Sequence, residues 1–167
     1  AGDLACVDAN TGDIRWKAKL KGGRNARPSG PPRIASGRVV VPHGNLRALS
    51  VYDSRSGKLV RQFEGRRFTQ LHVCDSGLLA VFHDGKLEMY DPAKLDKPVW
   101  TRTYDQNRYP AVLADGRELL AVSPANNSDT LELIEVLTGK KRSEVKLSKP
   151  GQGVAHLVDA TFVGEEL

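Results

Sequence analysis

Val7-Asp8-Ala9-Asn10-Thr11-Gly12-Asp13-Ile14-Arg15-Trp16 carries one short strand into another through a turn whose chemistry can be read directly. An Asp side chain accepts from backbone N–H groups two residues on, and Gly supplies positive φ without a Cβ clash. The phrase returns as Tyr52-Asp53-Ser54-Arg55-Ser56-Gly57, as Tyr90-Asp91-Pro92-Ala93-Lys94 and as Ile134-Glu135-Val136-Leu137-Thr138-Gly139, its acids 45, 38 and 44 residues apart. Two further turns keep step with it. One falls at Ser36-Gly37, Ser76-Gly77, Asp115-Gly116 and Val163-Gly164, the other at Gly2-Asp3, His43-Gly44-Asn45, Asp84-Gly85 and Asn126-Asn127-Ser128. Three turns per period join four strands. Four-stranded antiparallel units of roughly 40 to 45 residues are the sequence sign of a β-propeller blade, whereas a β-sandwich offers no reason for the period.

The residues between the turns agree with strands. Apolar side chains come in short β-branched runs or alternate with polar ones, as in Arg38-Val39-Val40-Val41, Lys86-Leu87-Glu88-Met89-Tyr90 and Leu131-Glu132-Leu133-Ile134-Glu135-Val136. No stretch of ten residues carries a helical period. Gly and Pro make up 25 of 167 residues, and 40% of the chain is apolar, an ordinary composition for a folded domain. A chain of this size buries roughly 70% of its unfolded surface and needs no disulfide or metal to hold a core. Its longest apolar run, Leu78-Leu79-Ala80-Val81-Phe82, is far short of the ~18 residues of a membrane helix.

The repeated phrase resembles the PQQ-like β-propeller repeat family, in which an Asp, a Thr-Gly turn and a Trp four residues after the Gly recur blade by blade. Asp8, Thr11, Gly12 and Trp16 match in full. The second copy keeps Asp53 and Gly57 but has Arg61 in place of the Trp. The third keeps Asp91 and Trp100 around an altered turn, Leu95-Asp96-Lys97-Pro98, and the fourth keeps Glu135, Thr138 and Gly139 but has Ser143. The resemblance implies that the Trp docks one blade on the next, and that blades lacking it make differently filled contacts. It also implies a bacterial setting in the periplasm, cell envelope or extracellular space, and two functional classes: scaffold propellers of the envelope and quinoprotein dehydrogenases.

The turns divide the chain into a half blade over 1–20, full blades over 32–64, 70–104 and 109–147, and a second half blade over 153–167. The expected fold is therefore an all-β partial propeller of about four blade equivalents. The resemblance implies a seven- or eight-bladed ring completed by neighbouring blades or by a second copy; a closed four-bladed ring is the alternative.

Charge is unevenly spread. Residues 1 to 70 hold 14 Lys and Arg against 5 Asp and Glu, and from Ile14 to Tyr52 there are nine cations and no acid. Arg15, Lys17, Lys19 and Lys21 alternate with Trp16, Ala18 and Leu20, giving a strand one cationic and one apolar face. Together with Arg24 and Arg27 they form a candidate contact for a partner or a polyanion such as nucleic acid or an anionic glycan. The plainer account is an outer strand whose lysines guard an edge, since the run lacks the interleaved aromatics of single-strand nucleic acid binding. The inter-blade segments 22–32, 66–70, 105–110 and 148–153 are the expected loops for a protein partner.

No catalytic, cofactor-binding or metal-binding residue is assigned from the sequence. His43, His72, His83 and His156 lack zinc spacing, and His83-Asp84 has no nucleophile elbow to serve. Cys6 and Cys74 are expected as two buried thiols. The dehydrogenases that the resemblance brings in hold PQQ between a Trp and a disulfide of adjacent cysteines, over calcium; neither cysteine here has a Cys neighbour. The reading is a non-enzymatic interaction scaffold, with a dehydrogenase fragment using PQQ and calcium as one alternative and a polyanion binder as the other.

Overall fold

A computed structural model describes residues 2–21, 26–45, 47–64, 68–104, 111–115, 119–124 and 129–146, with backbone alone for Thr69 and 111–115. Every regular element among them is a β-strand. Strands β1 (Asp3–Val7) and β2 (Ile14–Lys19) form a two-stranded sheet. A four-stranded sheet follows, in the order β3 (Arg33–Ala35), β4 (Arg38–His43), β5 (Ala48–Asp53) and β6 (Leu59–Glu64). The next holds β7 (Phe68–Val73), β8 (Leu79–His83), β9 (Lys86–Tyr90) and β10 (Trp100–Thr103), and the last β11 (Ala111–Asp115), β12 (Leu119–Ser123), β13 (Thr130–Glu135) and β14 (Lys141–Lys146). Each sheet is an antiparallel meander in chain order, the construction of a propeller blade. The expected half blade over 153–167 lies outside the described residues.

Strand β7 begins at Phe68, so residues 68–70 of the segment expected as a crossing loop are strand, and the Phe68 ring is buried. Its apolar bulk draws it into the sheet. The turns bend as their residues predict: Gly37, Gly77 and Gly85 have φ of 73°, 80° and 73°.

The chain forms two compact units, Ala1–Phe68 and Thr69–Leu167, each with its own core. In the first, Leu20, Ala26, Val39, Val41 and Tyr52 are buried, with Leu4, Trp16, Ala18 and Leu59 packed against them. In the second, Phe82, Leu87, Met89, Leu120, Val122, Ile134 and Val136 are buried, flanked by Trp100 and Tyr104. The middle strands are covered on both faces, so β8 and β12 are buried along their whole length and β9 from Leu87 on. Alternation in Leu87-Glu88-Met89-Tyr90 therefore does not send Glu88 to solvent. It is buried, accepting from Tyr90 Oη at 2.7 Å with His83 Nε2 also at 2.7 Å.

Candidate interaction site

The repeated turns share one geometry. Gly12 N, Gly57 N and Gly139 N each donate to the carbonyl of the acid four residues earlier at 2.9 Å, and the glycines have φ of 77°, 67° and 70°. Asp8 Oδ1 accepts from the N–H groups of Asn10 and Thr11 at 2.9 and 3.3 Å. Asp53 Oδ1 accepts from those of Arg55 and Ser56 at 3.2 and 2.9 Å. In the third copy Ala93 N donates to Asp91 Oδ1 at 2.8 Å, and Lys94 N closes the turn on the Asp91 carbonyl. Glu135, one methylene longer, accepts from the Thr138 hydroxyl. Both Asp8 and Asp53 have pKa values lowered from the ordinary carboxylate value, Asp8 by Arg15 and then the turn N–H groups, Asp53 chiefly by Ser56.

The glycines also act as seats. Trp16 Nε1 donates to the Ser54 carbonyl at 2.9 Å, and its ring lies on Gly57 so closely that an added Cβ would be 2.6 Å from Cδ2 and Cε3. Trp100 repeats the arrangement in the second unit: Nε1 donates to the Val136 carbonyl at 2.7 Å, and a Cβ on Gly139 would be 2.6 Å from Cδ2. In both, the acceptor is the carbonyl one residue after the turn's acid. Burying an indole satisfies its N–H while its ring supplies contact area between sheets.

Beside Trp100 is a polar junction the sequence did not disclose. Arg102 donates from Nη2 to Glu132 Oε2 at 3.1 Å and from Nη1 to the Gly139 carbonyl at 3.1 Å. Tyr104 Oη donates to Glu132 Oε2 at 3.3 Å, and Lys141 Nζ lies 3.5 Å from Glu132 Oε1. Burial above all raises the Tyr104 pKa to about 12, which keeps its phenol a donor. The available signal was Glu132 between the apolar Leu131 and Leu133 of β13.

The cationic residues have unequal freedom. Lys17, Lys19, Lys21 and Arg27 are exposed, whereas Arg15 is tied to Asp8 Oδ2 through Nη2 and, at 3.1 Å, through Nε. Arg24 lies outside the described residues. The segment after it is held down: Ala26 is buried, Gly2 N donates to its carbonyl at 2.9 Å, and Ser29 N donates to Pro42 O at 2.8 Å. Of segment 22–32, then, the described part 26–32 is an ordered crossing with the Arg27 side chain outward. Segments 105–110 and 148–153, Asn126-Asn127-Ser128 and His156 also lie outside the described residues.

His43 and His83 occupy interior positions. His43 is buried with Nε2 2.8 Å from Ser50 Oγ, and burial lowers its pKa, with Glu64 opposing. The cysteines correct one expectation. Neither forms a disulfide, but only Cys74 is fully buried; Cys6, on β1 of the two-stranded sheet, is half-buried.

Repeated four-stranded meanders, joined by Asp-to-Gly turns and pinned by indoles on glycine seats, define a partial β-propeller built from PQQ-like repeats. The chain belongs to the family described as outer membrane protein assembly factor BamB, whose model matches residues 1–162. A search of curated proteins finds no significant match. Among solved structures, BamB from Moraxella catarrhalis is similar at 22% identity and a TM-score of 0.59, over 88% of this chain and 47% of that one. Apo AztD from Citrobacter koseri is similar at 18% identity and a TM-score of 0.62, over 85% of this chain and 40% of that one. A quinohemoprotein alcohol dehydrogenase from Pseudomonas putida HK5 is similar at 14% identity and a TM-score of 0.59, over 89% of this chain and 32% of that one. These likenesses show the fold. The chain spans about half the length of the BamB structure it matches.

The described residues do not fit a quinone clamp of the dehydrogenase kind. Both tryptophans are engaged in blade docking, and the two cysteines form no disulfide and are distant in sequence. No group of three His, Cys, Asp or Glu among the described residues could hold a metal ion.

Proposed function

We propose that this chain is part of a non-enzymatic propeller that binds a protein partner in the bacterial cell envelope, presenting loops between rigid blades. The carrying observation is the match of residues 1–162 to the outer membrane protein assembly factor family. The physics of the blades supports it: polar groups inside them bond to one another, as in buried His83–Glu88–Tyr90 and half-buried Arg102–Glu132–Tyr104. The connecting segments are held by this frame, the usual place for recognition. Arg27, outward on an otherwise pinned crossing, is the contact residue we assign to this role.

The test is a photo-crosslinking amino acid at Arg27 in cells, with Thr101 on β10 as the strand control. A discrete protein adduct from the loop position alone supports the scaffold. No adduct, together with dye reduction by the purified chain given PQQ and calcium, transfers the assignment to a dehydrogenase fragment.

The exposure of Lys17, Lys19 and Lys21 favours a second reading, a surface for an anionic glycan or nucleic acid. With Arg15 neutralised by Asp8, this surface is weaker than the count of cations suggests.

A further inference from the structure

Among the described residues, two side-chain polar atoms are buried without a hydrogen bond, Arg38 Nε and His43 Nδ1. Arg38 keeps the end of its guanidinium on Asp53, Nη1 to Oδ2 at 2.7 Å, and is partly exposed. His43 has no such outlet. It is 1% exposed, and its hydrogen-bond partner is Ser50 Oγ, 2.8 Å from Nε2. A neutral imidazole leaves one unpaired atom here, whereas an imidazolium carries an N–H on both nitrogens. Charging the ring in place would bury a cation together with an N–H that has nothing to donate to.

The crossing lies beside this ring. Pro28 and His43 form an antiparallel bridge, flanked by Ser29 N donating to the Pro42 carbonyl at 2.8 Å and Gly44 N donating to the Arg27 carbonyl at 3.0 Å. That pattern makes them a non-hydrogen-bonded pair, the kind in which opposite side chains share a face and approach most closely. Pro28 has no N–H with which to add a bond. Behind it, Ala26 is buried and its carbonyl accepts from Gly2 N at 2.9 Å. Residues 27–30 are thus a short strap, anchored at Ala26 and laid on the end of β4. Its bonds can open without touching the β4–β5 ladder, which runs from Arg38–Asp53 to His43–Ala48.

The charged groups on the surrounding elements pull both ways. Glu64, opposite Ala48 on β6, favours a charged His43. Arg27 on the strap, Arg47 after the β4–β5 turn and Lys21 after β2 are exposed cations that oppose it. Asp3 and Lys19 are cross-strand partners on β1 and β2, and Arg33, opposite Val40, is on the alternate face of its sheet. Tyr52 shares the His43 face as a neutral phenol donating to the Lys19 carbonyl at 3.4 Å.

We propose that residues 27–30 are an acid-released strap: protonation of His43 opens them from β4, exposing the imidazole and moving Arg27, while the sheet beneath stays folded. Opening lets Nδ1–H reach water, so the open form takes up the proton at an ordinary histidine value and the closed form resists it. Below about pH 6.5 the open population therefore rises about tenfold per pH unit, until the closed ring charges as well. The release needs no partner; its consequence for binding, that Arg27 loses its fixed position in acid, rests on the partner role proposed above.

The strap is tested by amide hydrogen exchange of Ser29 and Gly44 in the whole chain, followed by NMR from pH 8 to pH 5, with each rate divided by its intrinsic value. Protection should be level to about pH 7 and then fall about tenfold per pH unit, while the β4–β5 ladder amides keep theirs and His43→Asn shows no such fall. Protection that stays level, that falls only together with the ladder, or that falls equally in His43→Asn overturns the proposal. Should His43→Asn fail to fold, the wild-type imidazole decides: its ¹³Cε1 signal must titrate with a midpoint below the ordinary 6.5, and a midpoint at or above that value means a charged ring fits under the closed strap and overturns it. The partner reading fails separately. Strap release without an Arg27 crosslink upholds the strap and removes the partner, and a crosslink with level protection does the reverse.

Discussion

Gly57 and Gly12 have nearly the same backbone and opposite surroundings, which separates the two demands a turn glycine meets. Positive φ costs any L-residue roughly 1–2 kcal/mol, so Gly12→Ala should lower stability by about that amount. At Gly57 the new methyl also meets the Trp16 ring, and overpacking adds roughly 1–3 kcal/mol. Urea unfolding should therefore show Gly57→Ala as clearly the more damaging change; equal losses would mean that the indole is not seated there. His43 is a second residue-scale case. Its Nδ1 is buried without a partner, and Nε2 meets Ser50, so burial favours the neutral ring. His43→Ala would leave a cavity and take one partner from the buried Ser50 hydroxyl, costing about 2–4 kcal/mol by the same measurement. The turn residues were legible in the sequence because Asp, Thr and Gly act on their own backbone. The burial of Glu88 was not, because the alternation of Leu87-Glu88-Met89-Tyr90 reads as a strand with one solvent face, whereas β9 is buried from Leu87 on.

Among the elements, the outer strands decide how blades meet and what solvent sees. Strand β2 turns Trp16 and Ala18 inward and Arg15, Lys17 and Lys19 outward, an alternation the sequence already displayed. If those lysines bind polyanions, heparin affinity should fall steeply with salt and be lost in the Lys17→Glu, Lys19→Glu double variant. Weak binding that the double variant leaves unchanged assigns them to edge protection. Strand β10 meets its neighbour through Trp100 and Arg102, and the acceptor for Arg102 is Glu132. Glu132 is partly solvated, so Glu132→Ala should cost about 1–3 kcal/mol, below the loss for a fully buried pair. Glu132→Gln, which keeps an acceptor for Arg102 and Tyr104, should recover part of that in thermal melts; no recovery would assign the junction to charge alone. The junction was hidden from sequence because Arg102 and Glu132 are 30 residues apart, on different sheets.

For the molecule as a whole, acid should act in two stages. His43 has a folded-state pKa below its ordinary 6.5, so the unfolded chain takes up its proton first, and stability falls as pH drops through and below that value. Asp8 and Asp53 lie below their ordinary 3.8, so their contribution is present above that value and is lost as pH falls through their lowered values. A urea midpoint measured from pH 8 to pH 3 should be level at first, decline below about 6.5, then decline again below about 4. His43→Asn should remove the first decline and leave the second; a first decline that survives would belong to another group. The sequence by itself determined the period, the turns, the strand character and the two tryptophan knobs, because each depends on residues within one hairpin of each other. Tertiary structure alone decided which glycines receive those indoles and which strand carboxylates are buried. The physical reason is that a blade's faces are defined by what packs against them, and the contacting residues lie a full repeat away.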